Sequence, residues 1–299
     1  MNDRGENMKF VDCKELKVAG LEALEKQTSE KEITLKVIQV KGDKASDIYV
    51  RNKAKASLKA GIHLDHILLD EDVQMEEILY LIESFNNDDA VNGIMVQLPL
   101  PKHLNESSII NAINPDKDVD GLTNINLGKI VANEEGLRPC TAQGVMEVLD
   151  NVIGLDNLVG KKVTIIGRTK LVGLPLFHML LNLNATPVIC HTKTENLSDY
   201  TQTADILITA AGASKPFIGS DMIKDGAIVI DVSTVKDDDG KFHGDVIYGE
   251  VKDKASYVSP VPGGIGQLTV LELLRNTYKA YLFQHAIKND KGKQFVLKN

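Results

Sequence analysis

Residues 161–166, KKVTII, form an apolar run with no polar alternation. That is the signature of a strand buried on both faces, which occurs where helices cover both sides of a parallel sheet. The rest of the chain supplies such helices in alternation. Residues 13–30 predict a charged amphipathic helix, 33–40 a strand, 46–60 a helix, 64–69 a strand, 73–86 a helix and 92–98 a strand closed by Pro99 and Pro101. After a turn-rich stretch at 114–139, Thr141 reads as the N-cap of a helix reaching Asn151. A second alternation follows, with a helix at 173–183 and strands at 186–190, 205–210 and 227–232. An exposed acidic turn occupies 236–241, a Pro/Gly-rich loop 259–267, and a final helix starts near 268. This β-α-β rhythm predicts an α/β fold with parallel sheets. At 299 residues, two domains are expected.

Charge and cysteine usage narrow the function. The formal net charge of −8 opposes nucleic acid as the main ligand, because phosphate backbones need a basic surface. Cys13, Cys140 and Cys190 are scattered, odd in number and form no Cys-x-x-Cys pair. A disulfide framework or zinc site is therefore not expected, and a reducing cytoplasm is. The polar N-terminus shows no signal peptide, and no apolar run approaches the ~20 residues that span a bilayer. His63 and His66 lack partner ligands, so no metal site is expected.

Gly167 stands at the end of the buried strand and Gly173 at the start of the next helix, within VTIIGRTKLVGLPLFHMLL. The spacing is not Gly-x-Gly-x-x-Gly, but the physics is shared. A glycine lets the backbone approach a pyrophosphate, and a helix N-terminus offers it unpaired N–H groups. Pro175 suits a first helical turn, where its missing N–H costs nothing. An NAD enzyme usually carries an acid at the end of the second strand, about 20 residues on, for the ribose hydroxyls. Here that strand ends in VICHTKT, with Thr192 and Lys193 and no acid. Together with Arg168 these suit a 2′-phosphate, so NADP is favoured over NAD; the bland alternative is solvated surface charge.

Ser46, Tyr49 and Lys53 recur at spacings of three and four, and so share one helix face. Taken singly, Ser46 is explained as an N-cap, Tyr49 as packing with a polar tip and Lys53 as a solvated lysine. Tyr-x-x-x-Lys also occurs in short-chain dehydrogenases, but there it follows the glycine turn, whereas here it precedes it. Gln97 is a polar residue at the end of an apolar strand, where ligands of open α/β sheets sit. Asp116, Asp118 and Asp120 cluster in a turn and are individually explained as backbone caps.

These segments, taken in order, resemble the bifunctional methylenetetrahydrofolate dehydrogenase/methenyltetrahydrofolate cyclohydrolase family over nearly the whole chain. The matching residues are Ser46-x-x-Tyr49-x-x-x-Lys53, GIMVQLPLP at 93–101, KDVDG at 117–121, PCT at 139–141, Gly167-Arg168 with Val172-Gly173-x-Pro175, Cys190-His191, VIDV at 229–232, GDV at 244–246 and PVPGG at 260–264. The chain departs from the family pattern at Thr169 and Thr192, where serine is usual, at Ala142, at Ser233-Thr234 in place of Gly-Ile, and at Gln267-Leu268.

The resemblance implies a catalytic, folate-binding domain at 1–140, completed by the terminal helix at 268–299, a Rossmann-like NADP-binding domain at 141–267, and a cleft between them. It implies Lys53 as general acid/base with Gln97 as its partner, Asp120 on the pterin edge, Tyr49 stacked on the aminobenzoyl ring, and Ser46 in the same set. Val96, Leu98, Pro262, Gly263, Gly264 and Gly266 fall on the folate side; Gly167, Arg168, Thr169, Gly173, Thr192 and Thr234 fall on the NADP side. The expected activities are oxidation of 5,10-methylenetetrahydrofolate and hydrolysis of the methenyl product, in a homodimer with neither nucleic acid nor membrane as partner. The competing readings are a monofunctional NAD(P)-dependent dehydrogenase and a non-catalytic folate or nucleotide binder.

Overall fold

The computed structural model describes residues 11–289 except Asp43 and Asp238; the N-terminal ten residues and the last ten lie outside it. The first half consists of α1 (Cys13–Thr28), β1 (Thr34–Val40), α2 (Lys44–Lys59), β2 (His63–Leu69), α3 (Met75–Asn87), β3 (Gly93–Val96), α4 (Glu106–Asn111) and α5 (Asn124–Val131). Its three strands form a parallel sheet in the order β2-β1-β3. The register sets Ile38 beside Val96 and carries the chain out at Gln97, whose N–H donates to the Ile38 carbonyl at 2.8 Å. Every residue of β3 is buried, as its unalternating sequence requires.

The helix α6 (Cys140–Ile153) leads into the second half. There follow β4 (Lys162–Ile166), α7 (Gly173–Asn182), β5 (Thr186–Cys190), α8 (Leu197–Thr201), β6 (Ile206–Thr209), β7 (Ile228–Asp231), the short pair β8 (Val235–Lys236) and β9 (Phe242–His243), α9 (Tyr248–Val251), β10 (Tyr257–Val258) and α10 (Thr269–Asn289). The main sheet is parallel throughout, in the order β10-β7-β6-β4-β5. β8 and β9 pair antiparallel, and Asp237, Gly240 and Lys241 belong to the acidic turn between them, with Asp237 N–H donating to the Lys241 carbonyl at 2.9 Å.

α6 buries eight of its residues, among them Val145, Val148 and Leu149, and α10 packs against it. α10 also contacts α1, α2 and β3, so the end of the described chain returns to the first sheet. A second tie runs from α5 to α7, where Asn182 Nδ2 donates to the Ile130 carbonyl at 2.8 Å.

Two capping expectations are corrected. α6 begins at Cys140 with Pro139 as its N-cap, and no side chain caps it. The proline ring holds φ at −55°, seating the chain one residue before the helix and leaving Thr141 inside the first turn. α2 begins at Lys44, so Ser46 lies inside its first turn rather than capping it. The stretch 114–139 is also less irregular than expected: it contains α5, capped by the Thr123 hydroxyl, which accepts from Asn126 N–H.

Candidate functional site

Lys53 and Gln97 come together from α2 and the end of β3. The Lys53 ammonium donates to Gln97 Oε1 at 2.7 Å and lies 3.4 Å from Met95 Sδ. The Gln97 amide is spent in turn, its Nε2 donating to the Leu98 carbonyl at 2.6 Å. With both ends of the amide engaged, its oxygen stays pointed at the amine. Burial pushes the Lys53 pKa below its ordinary value, opposed chiefly by the nearby Asp120 carboxylate. Asp120 is displaced the other way: burial raises its carboxyl pKa, while Lys53 pulls it down.

The three aspartates of the turn divide their work. Asp118 is fully buried and accepts from Gly121 N–H, Thr123 N–H and Asn126 Nδ2 at 3.0, 2.8 and 2.9 Å, so it builds the turn. Asp116 pairs with Lys129 at 3.7 Å. Asp120 is the one that faces Lys53. Tyr49, one helical turn before Lys53, is 54% exposed, and Ser46 is buried. The Val96 side chain goes into the core beside Ile38 and Ile78, while Leu98 is half-buried.

Sequence reasoning assigned no role to two groups found here. Cys140, whose thiol donates to the Val119 carbonyl at 3.4 Å, lies beside Asp120, and burial and the Asp120 charge raise its thiol pKa well above the usual range. Asn276 of α10 donates from Nδ2 to the carbonyls of Val119 and Arg138, both at 2.8 Å, tying the Asp120 turn to the Pro139-Cys140 corner. The signal available was PCT at 139–141; Asn276 sits among other buried polar groups of α10, Glu272 and Thr277, and nothing in its local sequence marks it.

At the other end of the sequence pattern, Gly167 has φ +117°, and a Cβ there would sit 2.6 Å from the Ala210 carbonyl oxygen. A Cβ at Gly173 would meet the Gly167 carbonyl oxygen at 2.0 Å. Backbone therefore lies on backbone across the turn, which only glycine permits. Pro175 lies in the first turn of α7. Arg168, Thr169, Thr192 and Thr234 are all exposed, at or just beyond the C-terminal ends of β4, β5 and β7. Lys170 Nζ of this turn reaches Asn124 Oδ1 of α5 at 3.3 Å, which places the turn against the first half of the chain. In the loop at 259–267, Pro262, Gly263 and Gly266 are exposed and Gly264 is folded underneath.

A cavity of about 230 Å³ lies elsewhere, among Lys161, Asp205 and Lys224–Ile228. It is at the N-terminal ends of β4, β6 and β7, opposite the end where ligands of such sheets bind. Among the described residues no group of three or more His, Cys, Asp or Glu is arranged to hold a metal ion, and no helix is long and apolar enough to cross a membrane.

A parallel sheet with a glycine turn at a helix N-terminus, joined to an α/β half carrying an apolar-set lysine, defines a two-domain nucleotide-dependent α/β enzyme. The particular family follows from the sequence. Residues 11–120 match the tetrahydrofolate dehydrogenase/cyclohydrolase catalytic domain and residues 139–285 its NAD(P)-binding domain. The chain belongs to the tetrahydrofolate dehydrogenase/cyclohydrolase family. It is 47% identical over 278 residues to the bifunctional protein FolD of Bacillus pumilus, covering 91% of this chain and 96% of that one. Among solved structures, the bifunctional enzyme FolD, methylenetetrahydrofolate dehydrogenase/cyclohydrolase, from Campylobacter jejuni superposes with a TM-score of 0.87 at 43% identity, covering 90% and 97% of the two chains. The Trypanosoma brucei N5,N10-methylenetetrahydrofolate dehydrogenase-cyclohydrolase, complexed with NADP cofactor and inhibitor, gives 0.85 at 31% identity over 94% and 98%.

Proposed function

We propose that this protein oxidises 5,10-methylenetetrahydrofolate to the 5,10-methenyl form with NADP and hydrolyses that product to 10-formyltetrahydrofolate. The observation that carries the hydrolytic half is the lowered, half-buried Lys53 amine held on Gln97. The family membership and the glycine cradle support the oxidative half.

The residues present fit a dinucleotide. The Gly167–Gly173 turn leaves no room for side chains where a pyrophosphate approaches, and the α7 N-terminus presents the Gly173 N–H and its dipole to it, Leu174 N–H being spent on the Thr169 carbonyl and Pro175 having none. Gly167, Thr169 and Gly173 would hold the pyrophosphate, Arg168 and Thr192 with Lys193 the 2′-phosphate, and Thr234 the nicotinamide end. When bound, NADP supplies the hydride acceptor. The protein's part in that step is positioning of the methylene carbon. Tyr49 would stack on the aminobenzoyl ring, Asp120 would grip the pterin edge, and Val96, Leu98, Pro262, Gly263, Gly264 and Gly266 would line the folate, Val96 through its main chain.

For hydrolysis, water adds to the electron-poor methenyl carbon as one of its protons passes to the neutral Lys53 amine. As the ring opens, a proton is returned to the released folate nitrogen, and the net proton goes to solvent. A lysine at its ordinary pKa of about 10.4 would be a poor base near neutrality. Burial already lowers that of Lys53, and the cationic substrate would lower it further by like-charge repulsion. Gln97 orients the amine without adding a negative charge.

The domain reading that goes with this places the catalytic part at 1–140 with 268–299 and the nucleotide part at 141–267. The α10 contacts to α1, α2 and β3 support it. A homodimer and a cytoplasmic location complete the reading; the free thiols of Cys13, Cys140 and Cys190 support the latter.

The test is methylenetetrahydrofolate oxidation with NADP and NAD in parallel, and methenyl hydrolysis without nucleotide. Both activities are expected, with NADP preferred. Oxidation without hydrolysis would favour a monofunctional dehydrogenase; neither would favour a binding protein.

A further inference from the structure

The loops that follow β6 and β7 are held by a carboxylate that touches no solvent. Asp245 is fully buried. Its Oδ2 accepts from Thr209 Oγ1 at 2.6 Å, Ala211 N–H at 2.9 Å and Ser233 Oγ at 2.5 Å, and its Oδ1 from Ala213 N–H at 2.9 Å. The Ser233 hydroxyl in turn accepts from Gly212 N–H at 3.0 Å. Three successive N–H groups, at 211, 212 and 213, are thus all drawn toward one carboxylate, two directly and one through a serine. Ser233 is fixed at its other end as well: its N–H donates to Asp231 Oδ1 at 3.0 Å, and Asp231 Oδ2 accepts from Val246 N–H at 2.8 Å.

The strand order assigns these loops a place. A dinucleotide on a sheet of this kind lies across the carboxyl ends of the strands, its pyrophosphate at the glycine turn. With that turn after β4, the adenosine half extends over β5, where Thr192 and Lys193 stand, and the nicotinamide half over β6 and β7. The two loops differ from the glycine turn in kind. The 211–213 loop has no N–H group left for a phosphate; what it offers is a fixed surface, and Thr234 stands exposed beside it.

We propose that Asp245 is a positioning residue: its carboxylate, acting with the Ser233 hydroxyl, presets the 211–213 and 232–234 loops as a rigid shelf for the nicotinamide half of the cofactor. This rests on the NADP reading above. A buried carboxylate with four donors is an economical organiser, since each charge-assisted bond is stronger than a neutral one. A shelf ordered before binding spares the ligand the cost of ordering it.

The experiment compares binding of NADP with binding of 2′,5′-ADP, which carries only the adenosine half, by calorimetry on the full chain. Two variants are used. Asp245→Asn turns one acceptor into a donor facing donors; Ser233→Ala removes only the bridging hydroxyl and decides the matter if the first variant fails to fold. Each is expected to raise the Kd and KM for NADP, Ser233→Ala by about ten-fold, with the Kd for 2′,5′-ADP unchanged within about two-fold. Equal weakening of both nucleotides would show a merely structural role, and unchanged NADP binding in Ser233→Ala would show that the shelf does not depend on the bridge; either overturns the inference while leaving the NADP reading intact. Wild-type protein that binds neither nucleotide overturns the NADP reading and this inference with it.

Discussion

The Lys53 ammonium lies 2.7 Å from Gln97 Oε1 across 44 positions of sequence. The partner is an amide, not an acid, so the bond fixes the amine without paying its charge back. Burial therefore prevails, and the Lys53 pKa falls. The neutral amine is the reactive base, so methenyl hydrolysis should rise with pH through the Lys53 pKa, at a pH below the ordinary lysine value of about 10.4. Lys53→Met should remove this limb and lower hydrolysis by about 10²–10⁴-fold. Hydrolysis at the wild-type rate in that variant would exclude Lys53 as the base.

Gln97→Glu tests the same pair from the other side. A carboxylate at the position of the amide would favour the charged ammonium, shifting the limb to higher pH by about 1–3 units. A pH–rate profile that superposes on the wild type would show that Gln97 does not set the amine.

Gly173→Ala should disturb the cofactor turn. The new methyl would stand 2.0 Å from the Gly167 carbonyl oxygen, and backbone on both sides must move. The expected cost is about 1–3 kcal/mol of stability, with a rise of about ten-fold or more in KM for NADP. Thermal unfolding and KM measured together check this; wild-type values for both would mean that the turn is not as closely packed as described.

Arg168→Ala should lower kcat/KM with NADP by about ten-fold, the scale of one charge-assisted bond to a phosphate, and leave the NAD value within about two-fold. Arg168 is exposed beside the glycine turn, free to meet a 2′-phosphate. Equal losses with both nucleotides would assign it to the pyrophosphate instead.

Glu272 gives stability a pH dependence. It is buried on α10, bonds Arg275 at 2.6 Å, and burial raises its pKa to about 7 from 4.5. The folded state thus holds its proton more tightly than the unfolded chain. That contribution is complete below pH 4.5 and is lost as pH rises through 7. Relative to Glu272→Gln, the wild type should lose about 3 kcal/mol across that window, read from urea midpoints at pH 4.5 and 8. A constant difference between the two proteins would show that Glu272 is not so buried.

Much of the fold was legible because it is written in local periodicity. The unalternating run before Gly167, the apolar strand ending at Gln97 and the helical spacing of Tyr49 and Lys53 all act over one or two turns. The α5 helix was missed because Thr123–Ala132 carries Asn124, Asn126 and Gly128, weak helix formers that are held by tertiary contacts: Asn126 Nδ2 bonds both Pro115 O and Asp118 Oδ2. The α6 start was misplaced because a threonine resembles a cap more than a proline does.

Sequence by itself determined the order of helices and strands, the glycine turn, and the choice of Lys53 and Gln97 as residues worth pairing. Sequence resemblance also singled out Asp120, but tertiary structure alone decided that Asp118 builds the turn and Asp116 meets Lys129, that Cys140 lies beside Asp120, that Asn276 fastens the turn from 157 positions away, and that Asp245 gathers two loops. Periodicity is fixed by neighbours along the chain. Which distant side chains meet, and how far from water, depends on loop closure and packing that no local stretch contains.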